Sequence, residues 1–101
     1  MLHLNKTKIK ICGIKNFNTL NCCIENNIDF FGLVFYEKSP RYISTNKALE
    51  LTRYTENKKI NSVGVFANMT INNIIDIQKK INLKLIQLHG DEDNDFIIDV
   101  K

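Results

Sequence analysis

The sequence predicts an α/β fold in which four strands alternate with helices and lie parallel to one another. Short runs rich in β-branched and aromatic residues alternate with stretches whose apolar residues recur at helical spacing. Residues 29–36 are almost continuously apolar, which is typical of a strand buried on both faces of a parallel sheet. Each predicted strand also ends in polar residues, and functional groups gather at the carboxyl ends of parallel strands.

The first strand–helix unit covers residues 8–26. Residues 8–12 form its strand, which a glycine follows. Asn16 or Asn18 can cap the next helix, because a side-chain oxygen at that position accepts a free backbone N–H. Three apolar residues of this helix have helical spacing: Phe17, Leu20 and Ile24.

The second unit has its strand at residues 29–36. The loop that follows contains the only proline of the chain, Pro40, which argues against a helix there. Ser44 or Thr45 is expected to cap a helix that extends to about residue 58.

The third and fourth units complete the predicted order. The third strand takes residues 61–66, and Thr70 caps a helix with isoleucines on one face. The fourth strand takes residues 84–88. Acidic residues within 91–95 suit the N-terminus of a fourth helix, and we expect the chain to end inside that helix at Lys101.

Two kinds of parallel sheet have this strand–helix order. A doubly wound nucleotide-binding sheet usually has a glycine-rich loop after its first strand, and the sequence contains none. A (β/α)8 barrel has the same alternation and needs about 200 to 250 residues. We therefore predict that residues 1–101 form the N-terminal half of a single (β/α)8 barrel domain. Strands one and four would be open edges, which favours weak stability, self-association or dependence on a further segment.

Composition and charge exclude several classes of protein. Hydrophobic residues make up 44% and charged residues 25%, as in an ordinary soluble domain. The net charge of +3 comes from scattered basic residues, which argues against nucleic-acid binding. No apolar run has the length of a signal peptide or a membrane span. Three cysteines without a pairing framework predict a reducing, cytoplasmic location.

Cys12 is the first candidate for chemistry. It stands at the predicted carboxyl end of the first strand, beside Gly13. A thiolate in such a place can act as a nucleophile or a general base. Most free cysteines, however, behave as small buried hydrophobic residues. Position alone leaves both interpretations open.

Two further loops carry candidate binding groups. Pro40 stiffens the turn that presents Arg41, whose guanidinium can hold a carboxylate or a phosphate through paired hydrogen bonds. A solvated surface arginine is the alternative. Asn68 follows the third strand and can donate to a substrate, although the capping of a turn is the favoured interpretation.

The fourth strand ends with Gln87 and His89, which side-chain alternation places on the same side. His89 can bind substrate, transfer a proton, or lie hydrogen-bonded in the core. Asp91 and Glu92 are assigned to the start of the fourth helix. No metal site is predicted, because His3 and His89 are far apart in the sequence and form no ligand cluster with the cysteines.

Four motifs occur in a fixed order: Lys-Ile-Cys-Gly-Ile at 10–14, Phe-Tyr-Glu-Lys-Ser-Pro-Arg-Tyr-Ile-Ser at 35–44, Val-Gly-Val-Phe-Ala-Asn at 63–68 and Gln-Leu-His-Gly-Asp-Glu at 87–92. In this order and spacing they closely resemble phosphoribosylanthranilate isomerase over about residues 8–92. Lys15 and Ala67 stand where threonine and valine are common in that family. Neither difference affects the chemistry that the resemblance implies.

The resemblance implies a (β/α)8 enzyme of tryptophan biosynthesis that needs no cofactor. Its reaction is an Amadori rearrangement of phosphoribosylanthranilate to 1-(2-carboxyphenylamino)-1-deoxyribulose 5-phosphate. By the same resemblance, Cys12 is the general base and Arg41 pairs with the anthranilate carboxylate. Gln87 and His89 would line the mouth of the site. The family's general acid, an aspartate on about the sixth strand, and its phosphate loops belong to the second half of the barrel.

Because the resemblance covers half a barrel, we expect this chain to be an N-terminal fragment that is inactive alone. Its expected partner is the small-molecule substrate, with no nucleic acid and no membrane. A second interpretation is a non-catalytic half-barrel module, or a split subunit that assembles with a separate chain. A third, another phosphate-handling barrel or a related aldolase, is disfavoured by the combination of motifs.

Overall fold

The computed structural model describes residues 8–89 and 95–99. Its elements in chain order are β1 (Lys10–Cys12), α1 (Phe17–Glu25), β2 (Phe30–Val34), α2 (Thr45–Tyr54), β3 (Asn61–Ala67), α3 (Ile71–Lys80), β4 (Leu85–His89) and β5 (Asp95–Asp99). The strands form one sheet in the order β1-β2-β3-β4-β5. Strands β1 to β4 are mutually parallel and a helix connects each to the next, which confirms the predicted strand–helix alternation.

The three helices in the described residues all begin at predicted caps. Each cap side chain accepts the backbone N–H of the residue three positions further on, at 2.9 to 3.2 Å. The caps are Asn16, Ser44 and Thr70. Helix α2 stops at Tyr54, short of the predicted limit near residue 58, because residues 55–58 continue as tighter turns. None of the helices in the described part of the chain has the length and apolar character of a membrane span.

The predicted fourth helix is wrong for residues 95–99. These residues form β5, which pairs antiparallel with β4, so the sheet is mixed rather than wholly parallel. Phe96, Ile97 and Ile98 favour an extended backbone, and their pairing satisfies polar backbone groups along β4. The expectation that strand four is an open edge is therefore also wrong, whereas β1 does lie at an edge of this sheet. The predicted start of the helix at residues 91–94 lies outside the described residues.

One face of the sheet packs against the helices and forms the hydrophobic core. Aligned residues of parallel strands project to the same face, and alternate residues along a strand project to opposite faces. On the helix side, Phe31, Leu33 and Phe66 are buried, and the rings of Phe35 and Phe66 stack with centroids 5.2 Å apart. The helices contribute buried side chains to the same cluster: Leu20, Cys23, Ala48 and Leu51. This burial accounts for Phe31 and Leu33 in the apolar run at β2, and Val34 on the opposite face is buried as well.

The opposite face of the sheet is concave. There the Lys10 ammonium on β1 donates a hydrogen bond to Oε1 of Gln87 on β4, across β2 and β3. Lys10 aligns through Phe30 with Asn61, and extension of the β3–β4 register aligns Asn61 with Leu83. Gln87 thus lies four residues further along, while a flat sheet would also separate β1 from β4 by about 14 Å. The contact therefore requires strands that curve and tilt, as in a barrel wall.

Candidate active site

Cys12 is the last residue of β1, and its half-buried side chain lies on the concave face. The strand register aligns it with Gly32 of β2. A Cβ atom placed on Gly32 would lie 2.9 Å from the Cys12 sulfur, closer than such atoms can approach. The thiol therefore rests directly over the bare α-carbon of Gly32. This position agrees with the prediction of a thiol at the carboxyl end of the first strand.

Arg41 lies against the same end of β1. Gly13 has a φ of +80°, and a Cβ built on it would lie 3.1 Å from Cγ and 3.2 Å from Cβ of Arg41. The aliphatic stem of the arginine thus crosses the backbone immediately after Cys12. The structure brings these two predicted residues to one place, on either side of Gly13, although 28 intervening residues separate them in sequence.

The loop that carries Arg41 is held by its own hydrogen bonds. The Ser39 hydroxyl accepts the backbone N–H of Arg41 at 3.0 Å, and the Ser39 carbonyl accepts the N–H of Tyr42 at 3.1 Å. The Lys15 ammonium donates to the Pro40 carbonyl at 3.3 Å and so connects this loop to the one after β1. These contacts fix the backbone of Arg41 while its side chain stays exposed, which suits an arginine that receives an anionic group.

Gln87 and His89 lie on β4, which the register sets beside β3 with Val65 opposite Gln87. Gln87 is half-buried and accepts the hydrogen bond from Lys10 across the concave face. His89 ends β4, so its backbone reaches the carboxyl end of the sheet as predicted, and its side chain lies outside the described part of the structure. Asp91, Glu92 and His3 also lie outside the described residues.

Asn68 adopts a turn conformation just after β3. Its φ of +53° is in the left-handed region, where asparagine is tolerated better than most residues, and this supports the turn interpretation. Asn68 lines a cleft of about 520 Å³ together with residues of the loop after β2 and of α3. A second cleft, of about 720 Å³, lies at the opposite end of the sheet around Ile9 and Asp29. Neither of these two clefts includes Cys12 or Arg41.

The three cysteines have different surroundings. Cys22 is exposed on α1, whereas Cys23 faces the core and is 6% exposed. Burial raises the pKa of the Cys23 thiol, and the neighbouring Cys22 raises it further. A buried thiol that resists ionisation is a poor nucleophile or base. Of the three, Cys12 alone lies on the concave face at a strand end, where the stem of Arg41 passes the adjacent Gly13.

Sequence reasoning missed Gly32. A glycine inside an otherwise apolar strand signals a close approach of another group, and this signal was available at Phe-Phe-Gly-Leu-Val. The sequence did not show which group approaches, because the pairing of Cys12 with Gly32 depends on strand register. The link between Lys10 and Gln87 was missed for the same reason, since it depends on the curvature of four strands.

What this arrangement can do follows from its two polar groups. A thiol at a strand end can accept a proton or attack an electrophile. The guanidinium of Arg41 can hold a carboxylate in a defined orientation through two parallel hydrogen bonds. A small acid that carries a reactive C–H bond and a carboxylate would match both groups at once.

Comparison with known protein families adds an independent finding. A family model described as N-(5′-phosphoribosyl)anthranilate (PRA) isomerase matches residues 9–101. The N-(5′-phosphoribosyl)anthranilate isomerase of Thermotoga neapolitana is 39% identical over 89 residues, which are 88% of this chain and 43% of the relative. The chain thus spans less than half the length of this curated relative.

Solved structures show the same relationship. The phosphoribosyl anthranilate isomerase of Thermotoga maritima matches with a TM-score of 0.80 and 36% identity, over 85% of this chain and 42% of that chain. A phosphoribosyl anthranilate isomerase in complex with reduced 1-(o-carboxyphenylamino)-1-deoxyribulose 5-phosphate also gives a TM-score of 0.80 and covers 44% of that chain. These similarities confirm the predicted α/β fold as part of a (β/α)8 barrel.

Proposed function

The chain belongs to the N-(5′-phosphoribosyl)anthranilate isomerase family, and we propose that it supplies the proton-abstracting and carboxylate-binding half of such an enzyme's active site. The observation that carries this proposal is the position of Cys12 and Arg41 on either side of Gly13 at the end of β1. The family match from residue 9 to residue 101 includes all of these residues.

The proposed reaction is an Amadori rearrangement, in which an aldose amine becomes a ketose amine. After the ribose ring opens, the substrate carries an iminium group at C1′. The Cys12 thiolate removes the proton from C2′. The electron pair of that C–H bond forms a C1′=C2′ double bond while the iminium π pair moves to nitrogen, which gives an enolamine. Tautomerisation then yields the ketone. A thiolate is basic enough for this step because the adjacent iminium acidifies the C2′ proton.

Arg41 is the proposed partner of the anthranilate carboxylate. Its stem lies over Gly13 and its backbone is fixed by Ser39, so the carboxylate would be held at a constant distance from the Cys12 thiol. Gln87 and His89 are proposed to line the mouth of the site at β4. No cofactor is required by this chemistry, because it is an isomerisation: C2′ and its hydroxyl each lose a proton, while C1′ and the opened ring oxygen each gain one.

Residues 1–101 are proposed to form the first half of one barrel domain. The chain spans 43% of the Thermotoga neapolitana relative, and the general acid and phosphate loops implied by the resemblance fall in the remainder. We therefore propose that these 101 residues have no isomerase activity without a second half. A reducing compartment such as the cytoplasm is the proposed location, because Cys12, Cys22 and Cys23 are all free thiols.

The test is a chimaera of this chain with the C-terminal remainder of the Thermotoga maritima protein, assayed for consumption of phosphoribosylanthranilate. We expect turnover by the chimaera and none by residues 1–101. Cys12→Ala should lower kcat by roughly 100-fold or more, as loss of a general base does. Cys22→Ala is the matched control and should leave turnover unchanged, because that thiol is exposed on α1. Normal turnover of the Cys12→Ala chimaera would contradict the assigned base.

A further inference from the structure

We propose that Gly32 is a positioning residue for Cys12: its missing side chain leaves the space in which the thiol sulfur sits. The catalytic consequence of this placement rests on the function proposed above. The placement itself is a property of the described chain. None of the four sequence motifs contains Gly32, which lies in β2 before the second motif begins.

The geometry depends on the register of the first two strands. Cys12 and Gly32 are aligned partners in parallel strands. The side-chain positions of both residues therefore project to the concave face, next to each other. A Cβ on Gly32 would lie 2.9 Å from the Cys12 sulfur, 3.1 Å from its α-carbon and 3.4 Å from its β-carbon. The sulfur is the nearest of these atoms and the only one that a simple rotation can move.

The backbone around Cys12 cannot easily move away from an added methyl group. The Gly32 carbonyl accepts hydrogen bonds from the N–H groups of both Gly13 and Ile14, at 3.0 and 3.1 Å. Ile14 is 1% exposed and anchors this end of β1 in the core. A methyl group at position 32 would therefore displace the thiol by rotation more readily than it would separate the strands.

Gly64 is a contrasting glycine that serves as the matched control. It lies in β3, and its alignment with Leu33 places it on the helix-side face. A Cβ there would meet Leu83 at 2.6 Å and Phe66 at 2.9 Å, which is tighter than the contact at Gly32, and none of its three nearest atoms belongs to a cysteine. Gly64→Ala therefore reports what general strain in the sheet does to thiol reactivity.

The experiment measures alkylation by iodoacetamide in residues 1–101, with each cysteine quantified by mass spectrometry. In Gly32→Ala, the rate at Cys12 relative to exposed Cys22 should rise at least threefold, because the sulfur leaves the cover of β2. In Gly64→Ala the ratio should stay within twofold of the unsubstituted chain. An unchanged ratio in Gly32→Ala, or an equal rise in Gly64→Ala, would overturn the proposal.

A second variant covers the case in which Gly32→Ala does not fold. Removal of the Cys12 sulfur should relieve its contact with the methyl group added at position 32. The double variant Cys12→Ala, Gly32→Ala should therefore regain part of the stability to urea that Gly32→Ala loses. Failure of the double variant to recover any stability would contradict the steric relationship. The far-UV circular dichroism of both variants provides the measurement.

The catalytic consequence is tested in the chimaera. There Gly32→Ala should reduce kcat at least tenfold with KM within twofold, since a base displaced by about 1 Å reacts more slowly while the carboxylate contact is unaffected. A larger change in KM than in kcat would contradict a positioning role. If the unsubstituted chimaera is inactive, the proposed function fails, and the alkylation ratio still decides the placement.

Discussion

The aliphatic stem of Arg41 occupies the space that a side chain on Gly13 would fill. Gly13 has a φ of +80°, and an added Cβ would come within 3.1 Å of Arg41 Cγ. The glycine therefore serves two purposes at the end of β1: it permits the left-handed turn, and it lets the arginine cross the backbone beside Cys12. These two effects can be separated experimentally.

Gly13→Ala should lower the free energy of unfolding by about 1–2 kcal/mol from the backbone conformation alone, because L residues with a side chain are strained in the left-handed region. Displacement of the Arg41 stem should add to this cost. Urea unfolding of residues 1–101, followed by circular dichroism, measures the sum.

The two contributions are resolved by repeating the substitution in an Arg41→Ala background. There the cost of Gly13→Ala should fall toward the backbone contribution. Strictly additive costs would indicate that the arginine stem does not rest on Gly13.

Lys10→Met should lower the free energy of unfolding by about 1 kcal/mol, since it removes a hydrogen bond from a charged donor at a partly exposed site. A double-mutant cycle with Gln87→Met should give a coupling energy of about 0.5–1 kcal/mol for the pair. Lys84→Met, at an exposed lysine just before β4, is the control and should change stability little. A coupling energy of zero would count against the bond across the sheet.

Stability should fall at alkaline pH because of Cys23. Its folded-state pKa is raised by burial and by Cys22 above the ordinary value of 9.0, so the unfolded chain loses the thiol proton first. The contribution is fully present below pH 9.0 and is lost as pH rises through the folded pKa. The slope cannot exceed about 1.4 kcal/mol per pH unit for one thiol. Cys23→Ala should abolish this part of the pH dependence in urea titrations. If the free energy of unfolding fell as steeply with pH in the variant, another group would be responsible.

Amide hydrogen exchange should identify β5 as a strand. In an outer strand, alternate N–H groups point toward the paired strand, so protection within residues 95–99 should alternate with a period of two. A helix would instead protect consecutive amides. NMR of the exchanging chain distinguishes the two patterns, and continuous protection through 95–99 would contradict the antiparallel pairing.

The parts of the fold that depend on local pattern were predictable. Asn16, Ser44 and Thr70 were all named as possible caps, because a capping residue acts on the helix that immediately follows it. Residues 95–99 were not predicted correctly, because acidic residues near a helix start and β-branched residues in a strand gave opposing local signals. Pairing with β4, a tertiary contact, decided between them.

The candidate site also combines features that local sequence predicts with features that only tertiary contacts determine. Cys12 and Arg41 were predicted from strand ends and loop chemistry, and the four motifs together indicated their family. The contribution of Gly32 was hidden, since the neighbour that needs its missing side chain lies 20 positions earlier in the chain. Cross-strand register is set by the assembled sheet and cannot be obtained from either segment alone.

The bond between Lys10 and Gln87 also bears on the order of events during synthesis. The two residues are 77 positions apart, so β1 leaves the ribosome well before its partner on β4 has been translated. Strands β1 to β4 are spatial neighbours in the order of their synthesis, which lets each new strand add to the growing edge. Curvature of the sheet can be locked only when β4 arrives. The concave face that carries Cys12 is thus completed late, after the sequential pairing that builds its wall.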